Sequence, residues 1–461
     1  MITLKKIITE KLGIDGPIFY TLLGKGVQIF TSLGTILFIT IYLTGDEQGY
    51  YYTYGSILGL QIFFQLGLTQ VITQFVSHEY SYLKIDSSYK IVGTEYNKSR
   101  LSSLLHFCVK WYSIFAILLF LILLVVGHSF FCKYSIEGNA ISWEFPWVLL
   151  VIGTSLNLLM SPIISFISGF NKVKEIAQIQ FIIECTRPII IWGGLFCGLK
   201  LYVSGIFSIL IFIIYFICIF IFSFHKLLYN LWKEKIGNSI SYLKEIFPFQ
   251  WRVALSSISG YLMFQLFNPI LFATEGAKIA GQMGMTLTAL YAIIGLSGSW
   301  INTKVPKLSM FIELKKYDIL DTIFKRTLKQ IIFIESFAMS LFVLIVYFLQ
   351  KFNFMPFGLN IGNRFLPIVP ILFMSLAMFA RAPVDAWSTY LRCHKKEPLM
   401  FFSIITVTIT VITIIIVGNF LGLIGITISF SFIQIISILW AYKIYKKKKR
   451  EWHITVKEKI H

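Results

Sequence analysis

The chain has 461 residues, of which 56% are hydrophobic and 14% charged, with a formal net charge of +19 and a mean hydropathy of +0.75. So little polar surface cannot cover a soluble globule of this size, which excludes an ordinary water-soluble enzyme and points to a polytopic membrane protein. The positive charge is spread loop by loop rather than along one face, so it is read as membrane topology, and no nucleic-acid partner is expected.

At the N-terminus, Ile2, Leu4, Ile7, Ile8 and Leu12 recur at helical spacing beside Lys5, Lys6 and Lys11. No small-residue cleavage site follows, so this segment predicts a short interfacial helix rather than a signal peptide. Spanning helices need about 20 mainly apolar residues, and candidates follow at 18–43, 51–76, 108–131, 145–169, 177–198 and 201–223. A long polar connection covers 224–250, where Leu227, Leu228, Leu231 and Trp232, then Ile236, Ile240, Leu243 and Phe247, predict amphipathic turns lying on the cytoplasmic face. A second set of candidates lies at 251–274, 281–303, 329–350, 366–392, 398–418 and 420–444. The second, seventh and eighth candidates carry more Gly, Gln and Ser than lipid-facing helices usually do. The expected fold is all-α, with about 12 transmembrane helices in two six-helix bundles. The corresponding domains are an N-terminal lobe (1–223), a linker (224–250), a C-terminal lobe (251–444) and a basic tail (445–461).

Orientation follows from Lys and Arg in the short connections. Of 41 such residues, Lys133, Lys200, Lys278, Lys351 and Arg364 fall on one set of alternate connections, and Lys25, Arg187, Arg252 and Arg381 lie within spans. All others occupy the opposite set and both termini, which are therefore assigned to the cytoplasm. The Lys446–Arg450 run just beyond the last span is expected to rest on anionic headgroups, each charge contributing about 1 kcal/mol. Six cysteines and seven histidines show no C-x-x-C or other ligand spacing, so no metal site is expected.

The halves share a faint echo: Pro162 precedes Asn171, Lys172 and Lys174 as Pro383 precedes Arg392, Lys395 and Lys396. The outer turn Gly45-Asp46-Glu47-Gln48-Gly49-Tyr50 and the stretch Gly67-Leu68 through Glu79 resemble known exporters. So do Trp251 through Tyr261, Gln265 to Pro269, Ala280 to Thr286 and Ser299 to Pro306. Together they resemble the polysaccharide and O-antigen flippases of the multidrug/oligosaccharidyl-lipid/polysaccharide (MOP, MATE-like) exporter superfamily. That resemblance implies a secondary transporter, not an enzyme, in a bacterial cytoplasmic membrane. Its implied substrate is a polyprenyl-pyrophosphate-linked oligosaccharide moved to the outer leaflet by alternating access for O-antigen or capsule assembly. It implies a monomer among membrane lipids and polysaccharide-assembly partners, without a bound cofactor. Coupling is expected through the membrane potential, H+ or Na+.

Charged side chains at membrane depth cost upwards of about 3 kcal/mol, so they face cavities or pair. Arg381 and Asp385 are four apart and Glu184 and Arg187 three apart, so each pair is able to neutralise itself. Glu335 is expected to snorkel toward Lys329 and the cytoplasmic end. Lys25 and Arg252 have no acid within a turn. The resemblance places their helices on facing surfaces of two lobes, where Gln28 and Ser32, then Ser256, Ser259, Gln265 and Asn268, extend their polar stripes. Gln61, Gln65, Gln70 and Gln74, with Gln282, Thr286 and Asn302, complete an expected cationic, sugar-binding cleft in which Arg187, Arg381 and Asp385 are further candidates. A guanidinium or ammonium there would hold the diphosphate. Moving two negative charges outward down an inside-negative potential of about 100 mV releases roughly 4 to 5 kcal/mol, and no phosphate loop for ATP is present. Two alternatives stand beside this expectation. A multidrug/ion antiporter of the same superfamily would be expected to carry an interior carboxylate in the first lobe. A polysaccharide polymerase or ligase would need a larger external loop than 132–144 or 351–365 supplies.

Overall fold

The computed structural model describes residues 16–86, 89–134, 141–237, 239–302, 304–353, 355, 360–394 and 396–457. The N-terminal interfacial helix expected at 2–12 lies outside them. Helices dominate because hydrocarbon offers no water to free N–H and C=O groups, and a helix satisfies its own backbone. The expected all-α architecture is observed, with one small addition. Leu83–Ile85 (β1) and Ile91–Gly93 (β2) form an antiparallel hairpin in which Leu83 pairs with Gly93 and Ile85 with Ile91.

The elements in chain order are α1 (Gly16–Tyr42), α2 (Gly45–Leu58), α3 (Ile62–Gln65) and α4 (Leu68–Tyr80). They continue with α5 (Glu95–Tyr134), α6 (Glu144–Gly169), α7 (Val173–Phe196), α8 (Tyr202–Phe216) and α9 (His225–Lys233). The remainder are α10 (Phe247–Gln265), α11 (Phe267–Glu275), α12 (Ala277–Asn302), α13 (Val305–Glu313), α14 (Tyr317–Lys351), α15 (Ile368–Cys393) and α16 (Met400–Lys457). Among the described residues, nine helices are long and apolar enough to cross a membrane. One of these, α16, is two spans in tandem, broken at Gly422, whose φ of 56° no helix interior adopts. The Glu275 carboxylate accepts the Leu423 N–H at 2.9 Å, supplying the new helix start with the anion its exposed N–H groups favour.

The second and seventh candidates, the polar ones, are not continuous helices. The second bends through a 3-10 turn at Gly59–Gln61 and then breaks where Leu66 and Gly67 take φ of 45° and 65°. The seventh is interrupted at Leu266, between α10 and α11. Conversely, α5 has 40 residues and α14 has 35, well over a bilayer's need. Each overhangs at the end rich in Lys and Arg, as does the end of α16.

By contact the chain divides into two compact units. The first comprises Met1–Phe38 and Ile57–Ile258, the second Ile39–Ser56 and Ser259–His461. In the first, α6 packs on α8 through Gly153 against Ser208 and Gly205 against Leu149; a Cβ at either glycine would collide. Trp192 donates its indole N–H to Thr35 at 3.0 Å and stacks on Phe38, which docks α1 on α7. The first amphipathic turn expected in the linker forms as α9, with Leu227, Leu228 and Leu231 buried.

In the second unit two of the stretches that carry the family resemblance, Gly45 to Tyr50 and Ala280 to Thr286, pack on each other. Thr44 and Glu47 form a reciprocal capping box that starts α2. Gly49 then lies against the backbone of Ala277 and Gly281, too close for any side chain at position 49. Gln48 donates its amide to the Gly281 and Arg364 carbonyls at 2.8 and 3.0 Å. Arg364 in turn donates to the Thr40 and Leu43 carbonyls at 3.1 and 2.6 Å, closing the C-terminus of α1 with a cation. Burial lowers the proton affinity of that guanidinium, and the nearby Glu47 charge partly offsets it.

At the basic end of the first unit, Arg100 bridges Glu79 at 2.8 Å and Glu245 at 2.5 Å, so the end of α4, the start of α5 and the turn before α10 share one charge cluster. The Arg100 hydrogen bond holds the Glu245 carboxyl below the usual carboxylate range. Arg100→Ala leaves Glu79, only 7% exposed, without its cation, and should destabilise the detergent-solubilised protein by about 3 kcal/mol in a thermal-unfolding measurement. Because the Glu245 pKa is depressed on folding, its stabilising contribution is full above the unfolded value of about 4.3 and should be lost as pH falls below it. Unfolding midpoints between pH 3 and 7 check this, and an Arg100→Ala variant with wild-type stability and the same acid profile would contradict it.

Candidate functional site

The ionisable side chains of the spans are best taken unit by unit. In the first, α1 is a continuous helix, so Lys25, Gln28 and Ser32 share one stripe at three- and four-residue spacing. The Lys25 ammonium donates to the Gln28 side-chain oxygen at 3.1 Å, and the Ser32 hydroxyl donates to the Gln28 carbonyl at 2.8 Å. Lys25 is exposed and, among the described residues, makes no ion pair. Gln65 is half-buried at the last position before the Leu66–Gly67 break, where the helix stops supplying partners to backbone groups. The side chains of Arg252, Ser256 and Gln70 lie outside the described residues.

Arg187 and Glu184 pair as their spacing implied, and more fully: two N–H groups reach the two carboxylate oxygens at 3.0 and 3.2 Å. Their charges cancel within one turn of α7. The guanidinium also lies over the Phe207 ring of α8, 4.8 Å from its centroid, a contact that favours a planar cation over an ammonium.

The second unit repeats this arrangement. Arg381 pairs with Asp385 at 3.3 Å on α15 and lies over the Phe264 ring of α10, again at 4.8 Å. Asp385 is half exposed at 51%, against 25% for Arg381. Two stacked, ion-paired arginines on separate helix pairs were legible only as i,i+3 and i,i+4 charges. Their aromatic partners are remote in sequence and leave no local signal.

Glu335 corrects an expectation. It does not snorkel: it is 1% exposed and accepts a hydrogen bond from Ser297 of α12 at 2.8 Å. The reason is the neighbouring helix: Glu335 packs against α12 and meets its Ser297 hydroxyl, where a snorkelling side chain would run along α14 toward Lys329. The Ser297 hydroxyl also lies 3.1 Å from the Ile294 carbonyl. A hydroxyl has one proton, so it satisfies both neighbours only when Glu335 is protonated and donates in its turn. Asp385 lies within electrostatic range of Glu335, so Glu335, Asp385 and Arg381 make a cluster with more carboxylates than cations.

The remaining candidates are occupied structurally or stand apart. Asn268 donates to the Ser56 hydroxyl at 3.0 Å, and Gln282 donates to the Asn363 carbonyl at 2.8 Å. Thr286 accepts the Leu366 N–H. Their polar groups hold α11 and α12 to neighbouring turns, although the Asn268 and Gln282 side-chain oxygens are buried without a hydrogen-bond partner. Gln265 is half-buried and Asn302 exposed. Spacing gave no metal signal, yet His128 and Cys132, one turn apart on α5, meet Glu144 at the start of α6, with ligand atoms within 4.8 Å and all three side chains exposed. The third member comes from another helix, which a search along one segment passes over.

Ser297→Ala leaves the buried Glu335 carboxyl without its hydrogen bond and should cost about 1 to 3 kcal/mol. Adding Glu335→Leu should recover most of that loss, because no orphaned polar group remains. Thermal unfolding of both variants checks it, and a double variant no more stable than Ser297→Ala alone would contradict the pairing.

No family model and no curated protein matches the chain. Solved structures do. An inward-facing multidrug-resistance MATE family transporter of the MOP superfamily superposes with a TM-score of 0.66 at 12% identity, covering 93% of this chain and 99% of its own. A MOP superfamily transporter from Pyrococcus furiosus, described as having a binding pocket of reversed polarity that suggests a different function, gives 0.60 at 13%, covering 94% of each chain. An outward-facing MATE family transporter gives 0.58 at 13%, also covering 94% of each. This chain therefore has the MATE transporter fold over nearly its whole length.

Proposed function

We propose that this MATE-like chain is a secondary transporter that carries a polyprenyl-pyrophosphate-linked oligosaccharide from the cytoplasmic to the outer leaflet by alternating access. The observation that carries the reading is Lys25. It is an intramembrane cation with no carboxylate partner among the described residues, on a stripe with Gln28 and Ser32, whereas Arg187 and Arg381 are already neutralised by Glu184 and Asp385. A lone ammonium on the first span suits an anionic cargo and repels the organic cations a drug pump exports. The diphosphate meets Lys25 by point charge, sugar hydroxyls meet the amide and hydroxyl side chains beside it, and the polyprenol stays in the bilayer. The reversed pocket polarity described for the Pyrococcus furiosus relative supports the idea that this fold accommodates cargo of different charge.

A second reading, a cation antiporter, is favoured by one observation in the other unit: the buried Glu335 lies within electrostatic range of Asp385, whose own partner is Arg381. In the reading preferred here the same carboxylate takes up a coupling proton. The Ser297 geometry accepts either protonation state, because only the direction of one hydrogen bond changes.

Proteoliposomes containing the full chain separate these readings. With a labelled polyprenyl-pyrophosphate oligosaccharide, Lys25→Gln should slow flipping by about tenfold, which is the loss of one charged contact, while Lys25→Arg retains most of the rate. Flipping unaffected by Lys25→Gln would overturn the proposal. Proton-driven efflux of an organic cation that is abolished by Glu335→Gln, in protein that moves no lipid-linked sugar, would establish the antiporter.

A further inference from the structure

The basic run after the last span is more than a charged tail. Tyr442, Tyr445, Lys446, Lys449 and Arg450 recur at three- and four-residue spacing, which brings them to one face of α16, and that face meets α14 and α15. Together they line an open cleft of about 470 Å³, the size of an ordinary ligand site. Four cations line it: Lys325 from α14 and Lys446, Lys449 and Arg450 from α16. Its inner wall is aromatic, with Trp387 stacked on the buried Tyr445 at 5.6 Å.

Charge balance shows what is missing. Lys449 is paired with Asp321 at 2.6 Å, and Asp321 also accepts the Tyr390 hydroxyl at 3.1 Å, so that carboxylate is fully engaged. Among the described residues no carboxylate lies within ion-pair distance of Lys325, Lys446 or Arg450. The adjacent Lys447 and Lys448 do not line the cavity, and Lys448 is paired with Glu451. Three uncompensated cations around one hollow are therefore arranged to receive an anion.

Its depth identifies the carrier of that anion. The cavity sits where the last span passes from apolar residues to Lys446–Arg450. Trp440 and Tyr442 mark the interfacial level, and the exposed Leu439 and Ile436 continue into the hydrocarbon zone along the same helix. We propose that this cavity binds the phosphate headgroup of an anionic phospholipid in the cytoplasmic leaflet, with the acyl chains lying along the apolar part of α16. Basic pockets between spans on this side recognise such headgroups by the same combination of depth and charge. The site lies wholly in the second unit and does not depend on what the protein transports.

The full chain is purified in a neutral detergent, supplied with phosphatidylglycerol or phosphatidylcholine, and scored for retained lipid by native mass spectrometry. The wild type should retain phosphatidylglycerol in preference to phosphatidylcholine, and Lys446→Gln with Arg450→Gln should weaken that retention by about tenfold or more. Lys447→Gln with Lys448→Gln removes the same charge from the same helix outside the cavity and should change it less than about twofold. Equal losses in both double variants would mean only diffuse attraction to the tail, and no loss in either would remove the site; both results overturn the proposal. Millimolar inorganic phosphate should leave the lipid in place. If it displaces the lipid, the cavity is a site for free phosphate and the lipid assignment fails.

Discussion

The constraint on which everything else rests is that hydrocarbon tolerates neither an open backbone group nor a lone charge. A chain with 14% charged residues has few charges to place, and nearly every one at depth is matched within a turn or by the next helix. Arg187 and Arg381 each have a carboxylate within hydrogen-bond reach and a phenyl ring 4.8 Å away. Glu335 has Ser297. Even the helix ends follow the rule: Arg364 closes α1, and Glu275 opens the last span. Against that background Lys25 stands out: among the described residues it makes no ion pair, and its ammonium donates to Gln28.

The same constraint explains where the helices break. Glycine at 67 and 422 takes backbone angles that interrupt hydrogen bonding, and each break leaves carbonyls and N–H groups that need partners. At Gly422 the partner is a carboxylate from the preceding connection. Broken helices at membrane depth occur where the freed groups are buried in protein or line a watery cavity.

Much of this was legible in the amino-acid sequence. Apolar runs located the spans, and the alternation of Lys and Arg gave the end at which α5, α14 and α16 overhang. The three segments richest in Gly, Gln and Ser included the two that are discontinuous. The glycines and Gln48 that carry the family resemblance turn out to hold α2 against α12, so the resemblance was read from packing residues. Pairing between distant segments was not legible. Asn268 and Gln282 looked like cargo contacts because an amide in a span is costly without a partner, yet their amides reach Ser56 and Asn363, far off in sequence. The burial of Glu335 was not legible either, because its partner Ser297 lies on another helix, remote in sequence.

Charge movement is the direct test of the proposed transport. The flipping rate of the wild-type protein is measured in proteoliposomes under an imposed inside-negative potential and again with the potential collapsed. An anionic headgroup leaving the cytoplasmic side, with Lys25 returning unoccupied, predicts a faster rate under the inside-negative potential. A rate unchanged or slowed by that potential would contradict it.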